Sequence, residues 1–150
     1  MRGVSVLSGL MFLGLAHVPA LSQSTPPYAI DSELASRLKG LWVAPDANGA
    51  WLPFCEGYAF LGTAFVHIDA SGDDNMFHEG SKSPVTFKVL RLAPEADRIA
   101  LDAQWSHYMD ASGVYRTTAF KFRFAGTGLM MDQGAGPKPG TVLYRCPRTP

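Results

Sequence analysis

The amino-acid sequence predicts an all-β domain, a small antiparallel barrel of about eight strands with one short helix on its N-terminal side. From residue 41 onward apolar residues recur at every second position, the period of half-buried strands. The tetrapeptide Asp-Ala-Ser-Gly occurs at 69–72 and again at 110–113, each time directly after an apolar run. Asp opens such a turn by accepting from the backbone ahead of it, and Gly takes the left-handed position that completes a hairpin. Several alternating segments also send aromatic residues to one face, which a closed barrel buries and an open sheet with bare edges does not.

Residues 1–22 have the layout of a secretory signal. Arg2 supplies a positive start, residues 4–15 form an apolar stretch too short to span a bilayer, and Ala20 and Ser22 occupy the minus-three and minus-one positions of a cleavage site. The mature chain is therefore expected to begin at Gln23 and the protein to be periplasmic or secreted. No cysteine lies near that junction, so a lipid-modified start is not expected. Residues 23–29 read as a flexible arm rich in Ser, Thr and Pro, and residues 30–150 as one barrel domain. Lys and Arg number 13, as do Asp and Glu, and loss of Arg2 with the leader leaves 12 against 13. That balance implies neither nucleic acid nor an anionic membrane as partner. After the leader no apolar run is long enough to cross a membrane.

A helix is expected over 30–39, with Asp31 as its N-cap and Gly40 as its stop, and with Ile30, Leu34 and Leu38 on one face as a lid. Strands are expected at 41–44, at 51–55 with an interruption at Pro53, and at 58–68. Asp73, Asp74 and Glu79 around Met76 and His78 read as a solvated acidic loop. Further strands follow at 85–92, 99–109, 114–124, 129–132 and 141–146, with a Gly- and Pro-rich loop at 134–140. In the segment 99–109, strict alternation puts Ile99, Leu101, Ala103, Trp105, His107 and Met109 on one face. In 114–124 it turns Phe120, Phe122 and Phe124 inward, with Lys121 and Arg123 outward.

Cys55 and Cys146 are the two cysteines of the chain. In an oxidising compartment they are expected to form one bridge. It closes a loop of about 90 residues, which the chain-entropy model values at about 4–5 kcal/mol.

The short helix running into Gly40-Leu41-Trp42, together with a last strand carrying Arg145, resembles the calycin superfamily. That resemblance implies that the G-x-W tryptophan, Trp42, closes the barrel floor and that Arg145 lies across its ring, a contact worth about 0.5–2 kcal/mol. The lipocalin-like branch implies a hollow barrel holding a ligand. A second branch, small periplasmic inhibitors of bacterial metalloproteases, is similar in having an N-terminal arm, a short helix, a G-x-W strand and one disulfide. It implies inhibition of an exported protease through the arm.

Enzymatic motifs are not found: there is no G-x-S-x-G, no H-E-x-x-H and no glycine-rich phosphate loop. No catalytic residue and no cofactor are assigned. The expected role is non-catalytic binding of a small apolar or aromatic ligand among Phe87, Trp105, His107, Phe120 and Phe122, in a cavity of about 300 Å³ or more. Exported-protease inhibition is the alternative, and the two differ in whether the barrel interior is open or filled with side chains. Copper binding by Met76, His78, His107, Met109, Met130 and Met131 ranks below both, because methionine fills gaps in cores and no M-x-x-M or H-x-H run occurs.

Overall fold

The computed structural model describes residues 29–57, 59–73 and 75–147. The leader read at 1–22 and the arm up to residue 28 lie outside the described residues. The elements are β1 (Ala29–Ile30), α1 (Ser32–Leu38), β2 (Gly40–Val43), β3 (Phe65–Ile68), β4 (Asn75–His78), β5 (Val85–Glu95), β6 (Arg98–Met109), β7 (Tyr115–Ala125), β8 (Gly128–Gln133) and β9 (Val142–Arg145). Strands β2 to β9 pair antiparallel, each with the next, and β9 returns to β2, so the eight close on themselves. The two-residue β1 lies parallel to β5, with Ala29 opposite Arg91 and Ile30 opposite Leu92, outside the closed ring.

The first helical turn forms because the Asp31 carboxylate accepts from the Leu34 amide at 2.9 Å, as expected of an N-cap. The helix begins two residues later than the apolar spacing predicts. Ile30 belongs to β1 and is exposed, while Leu34 and Leu38 are buried in the end of the barrel. The Asp31 amide donates to the Leu92 carbonyl at 2.8 Å and ties the entry of the helix to β5.

The floor has the arrangement that the G-x-W resemblance implies. Trp42 faces Arg145 across the β2–β9 pair, and the Arg145 guanidinium lies 5.0 Å from the centre of its ring. Arg145 also donates to the carbonyls of Arg37 and Lys39 at the end of α1, where the last turn leaves acceptors unpaired. The Trp42 indole N–H donates to the Leu38 carbonyl at 2.7 Å. A second stack places Arg37 4.2 Å from the Phe124 ring centre. The helix is therefore held to the barrel by two stacked cations and by its own C-terminal carbonyls.

The strand count agrees with the sequence reading, but two of the strands differ. Residues 51–55 do not return as a strand: Leu52–Cys55 is a 3₁₀ turn with Pro53 in its first turn, a position where the missing N–H costs nothing. Of the described residues in 58–68, Phe65–Ile68 is strand and Ala59–Gly62 forms a second 3₁₀ turn. The strand that takes the place of 51–55 in the count of eight barrel strands is β4, inside the segment read as an acidic loop. Its Asn75, Phe77 and His78 are all buried. Asn75 earns its buried position by accepting from the Asp69 amide at 2.7 Å and donating to the Gly72 carbonyl at 2.9 Å, which fixes the β3–β4 hairpin.

Alternation sorts the β2 and β3 side chains between two cores. Trp42, Val66 and Ile68 face the interior, whereas Val43 and Phe65 face outward yet are buried, packed against the half-buried Trp51, Phe54 and Met76. The Cys55–Cys146 disulfide, with its Cα atoms 5.5 Å apart, fastens that segment to the end of β9. The two Asp-Ala-Ser-Gly segments are hairpin turns. Asp110 accepts from the Ser112 amide, the Ser112 hydroxyl and the Val114 amide at 2.8, 2.6 and 3.1 Å. The bond from Ser112 is the main reason its carboxyl titrates below the usual aspartate range. Asp69 is lowered likewise, first by Lys39, whose ammonium lies 3.0 Å away, and then by Ser71.

Arg145→Ala removes the stack on Trp42 and the cap on α1 together, with an expected loss of about 1–3 kcal/mol. Thermal unfolding followed by circular dichroism should show a melting temperature several degrees lower with the β-signal of the native protein retained. An unchanged melting temperature would mean that the floor does not depend on this contact.

Candidate functional site

Three of the five residues expected to hold a ligand come together inside the barrel, and they touch one another. Phe87, Phe120 and Phe122 are fully buried. The Phe87 and Phe120 ring centres are 5.4 Å apart, those of Phe120 and Phe122 are 5.8 Å apart, and Phe77 from β4 stands 5.6 Å from Phe120 and 6.0 Å from Phe87. These are contact separations for aromatic pairs. Leu92, Leu101, Leu129, Met131 and Leu143 fill the remaining interior. The interior is thus a packed core, and a ligand reaches these rings only by displacing them.

Strand β7 marks the two ends of the barrel. Phe124, near its finish, lies under Arg37 of the helix. Phe120, nearer its start, is covered by the loop that follows β8. Gly134 comes so close that a Cβ there would sit 2.6 Å from a Phe120 ring carbon, and at Gly136 it would sit 3.0 Å from the Phe77 ring. Both glycines have positive φ, 144° and 99°. The glycines of this loop serve as the covering of the aromatic core, because only a residue without a Cβ fits against the rings in that conformation.

Trp105, the fourth expected residue, is half-buried at this same end. Its ring meets Phe77 edge-on at 5.7 Å from inside and Tyr108 edge-on at 5.3 Å from outside. The Arg116 guanidinium lies 4.8 Å from its ring centre. The indole N–H is shielded from water and finds no acceptor among the described residues. Two clefts meet along this Trp105–Arg116 wall. One, of about 360 Å³, runs between the indole and the segment carrying Glu79, Lys82 and Val85. The other, of about 420 Å³, runs along Thr117, Thr118, Gln133 and Ala135. The space beside Trp105 expected from the sequence exists, but it is at the rim, and neither Phe120 nor His107 lines it.

His107, the fifth expected residue, is exposed. Strict alternation fails in this part of β6 because the pairing with β7 slips between Gln104 and Met109. The slip puts Tyr108, three residues on from Trp105, where alternation places His107. The segment beyond Trp105 projects past the start of β5, whose pairing with β6 begins at Phe87 opposite Trp105. Tyr108, Met109, Val114 and Tyr115 are all exposed on that projecting hairpin.

The methionine and histidine residues considered for copper are dispersed. Met131 is in the interior, Met76 is in the outer core, and His107 and Met109 are exposed on the hairpin. The His78 Nδ1 lies 2.9 Å from the Thr63 carbonyl oxygen, and the Met130 sulfur lies 3.3 Å from the Arg123 guanidinium. Among the described residues no group of three His, Cys, Asp or Glu side chains is placed to hold a metal ion, and no helix is long and apolar enough to cross a membrane.

Sequence reading missed Phe77, Tyr108 and Arg116. Phe77 lay hidden between polar neighbours in β4. Tyr108 and Arg116 were out of reach because a strand slip has no signature in a single sequence. The projecting hairpin did carry a signal, since Val114 and Tyr115 flank the second Asp-Ala-Ser-Gly turn closely.

Gly134→Ala is expected to destabilise the protein by about 1–3 kcal/mol, because the new methyl meets a buried ring and the backbone conformation disfavours any side chain. Denaturant unfolding measures the loss. A variant as stable as the parent would mean that the loop does not press on Phe120.

No protein-family model, no curated protein and no solved structure matches the chain.

Proposed function

We propose that the chain is an exported, non-catalytic binding protein of calycin-like build, and that it binds a small apolar or aromatic ligand at the rim of the barrel rather than in its interior. The observation that carries this reading is the Trp105 wall. A half-buried indole, flanked edge-on by Tyr108 at 5.3 Å, forms one side of a cleft of about 360 Å³, within the size range of small-molecule sites. A folded chain ordinarily covers such aromatic surface. Of the five residues expected to hold the ligand, Trp105 keeps that role directly, while Phe87, Phe120 and Phe122 support it from beneath. The compartment reading rests on the layout of residues 1–22 and agrees with the Cys55–Cys146 disulfide.

Inhibition of an exported protease through residues 23–28 is the second reading, and the filled interior favours it over a deep-pocket carrier. Titration with the neutral probe N-phenylnaphthylamine separates the two. Rim binding predicts enhanced probe emission with a Kd of about 10 µM, a value ordinary for a small apolar contact. Trp105→Ala should weaken it about tenfold through lost contact area, Tyr108→Ala should weaken it less, and Trp51→Phe should leave it unchanged. Absence of binding by the parent protein would overturn the rim reading. Inhibition of exported proteases that is lost on deleting residues 23–28 would put the arm in its place.

A further inference from the structure

We infer that the rim site takes a planar aromatic molecule carrying one anionic group, with the aromatic part against Trp105 and Tyr108 and the anion on Arg116. This rests on the rim-binding reading and adds the charge of the ligand. The partners of the arginines on this chain lead to it. Arg37, Arg91, Arg98 and Arg123 each face a carboxylate, and Arg145 donates to two backbone carbonyls. Among the described residues Arg116 is the arginine with no oxygen partner, and its one contact is the face of Trp105. The Arg116 side chain is exposed, with its guanidinium over the indole, and the N–H fork of such a guanidinium can receive a carboxylate or sulfonate in two parallel bonds.

The surroundings have the matching charge. In the first cleft Lys82 lies 3.0 Å from Glu79, so the two neutralise each other. The second cleft is lined by Arg116 and by neutral groups, with the Thr117 and Thr118 hydroxyls and the Gln133 amide as further donors and with no carboxylate among its lining residues. Arg116 and Trp105 line both clefts. Trp105 and Tyr108 stand at 82° to one another, a corner in which a flat ring meets one face and one edge at once. Arg116, 4.8 Å from the indole centre, lies beside that corner. The whole chain is close to neutral, so the selection of an anion is local and owes nothing to long-range steering.

Calorimetry with naphthoate and with its neutral counterpart naphthylmethanol tests the inference on the full mature chain. The parent protein should bind naphthoate about tenfold or more tightly than the alcohol, the preference one charge-assisted pair supplies. Arg116→Gln should bring the ratio to about one without weakening the alcohol more than severalfold, and Arg116→Lys should keep part of the preference. Raising the salt concentration should shrink it. Equal binding of the two compounds by the parent, or a preference that survives Arg116→Gln, would overturn the anionic ligand while leaving the rim site in place. Binding of neither compound would remove both.

Discussion

The contact among Phe77, Phe87 and Phe120, extended by Phe122, decides what the rest of this molecule can do. Each ring comes from a strand whose neighbours in the chain face outward, so closing the sheet brings all four into one space. Emptying that space for a ligand means losing the burial of at least one phenylalanine, about 3–5 kcal/mol where a cavity is left behind. That is a large share of the stability of an ordinary domain. At the rim, Trp105 meets Phe77 of the core on one side and the exposed Tyr108 on the other, so aromatic surface continues outward there.

Both ends of the core are closed by devices that suit what lies beneath them. At the floor, α1 inserts Leu34 and Leu38 and is locked by Arg145, which joins the first and last strands of the ring to the end of the helix. At the rim, the loop after β8 passes over Phe120 and Phe77 with glycine at both points of closest approach. The disulfide serves neither end. It fastens residues 51–55 over the outer faces of β2 and β3, and so helps to cover Val43 and Phe65, which face away from the barrel interior. The outcome is a barrel with a second apolar layer on one wall and with Trp105 spanning core and surface at the rim.

What was legible in the sequence is what local chemistry fixes. The Asp31 cap, the two Asp-Ala-Ser-Gly turns, the long alternating strands β5 to β7 and the pairing of Cys55 with Cys146 all follow from residue type and short spacing, and all are present. The stack of Arg145 on Trp42 followed from a family resemblance instead, and it too is present. Tertiary contacts decided the rest. Residues 51–55 resemble a strand because Trp51 and Phe54 are apolar, but these side chains pack half-buried against the outside of the barrel from a 3₁₀ turn, and Ala59–Gly62 is a second such turn. β4 resembles a loop because Asn75 and His78 are polar, and both are buried with backbone partners that no spacing rule supplies. The candidate site suffered from the same cause: one slip in the β6–β7 pairing exchanged His107 for Tyr108 beside Trp105.

The central claim is that ligands meet the outside of a filled barrel. Chemical-shift mapping by NMR during titration with N-phenylnaphthylamine tests it directly. Shifts are expected for the Trp105 indole N–H, the Tyr108 ring and the Arg116 side chain, with the methyl groups of Leu101, Leu129 and Leu143 unmoved. Large shifts of those buried methyl groups, together with the Phe120 ring, would contradict it, because they would place the ligand inside.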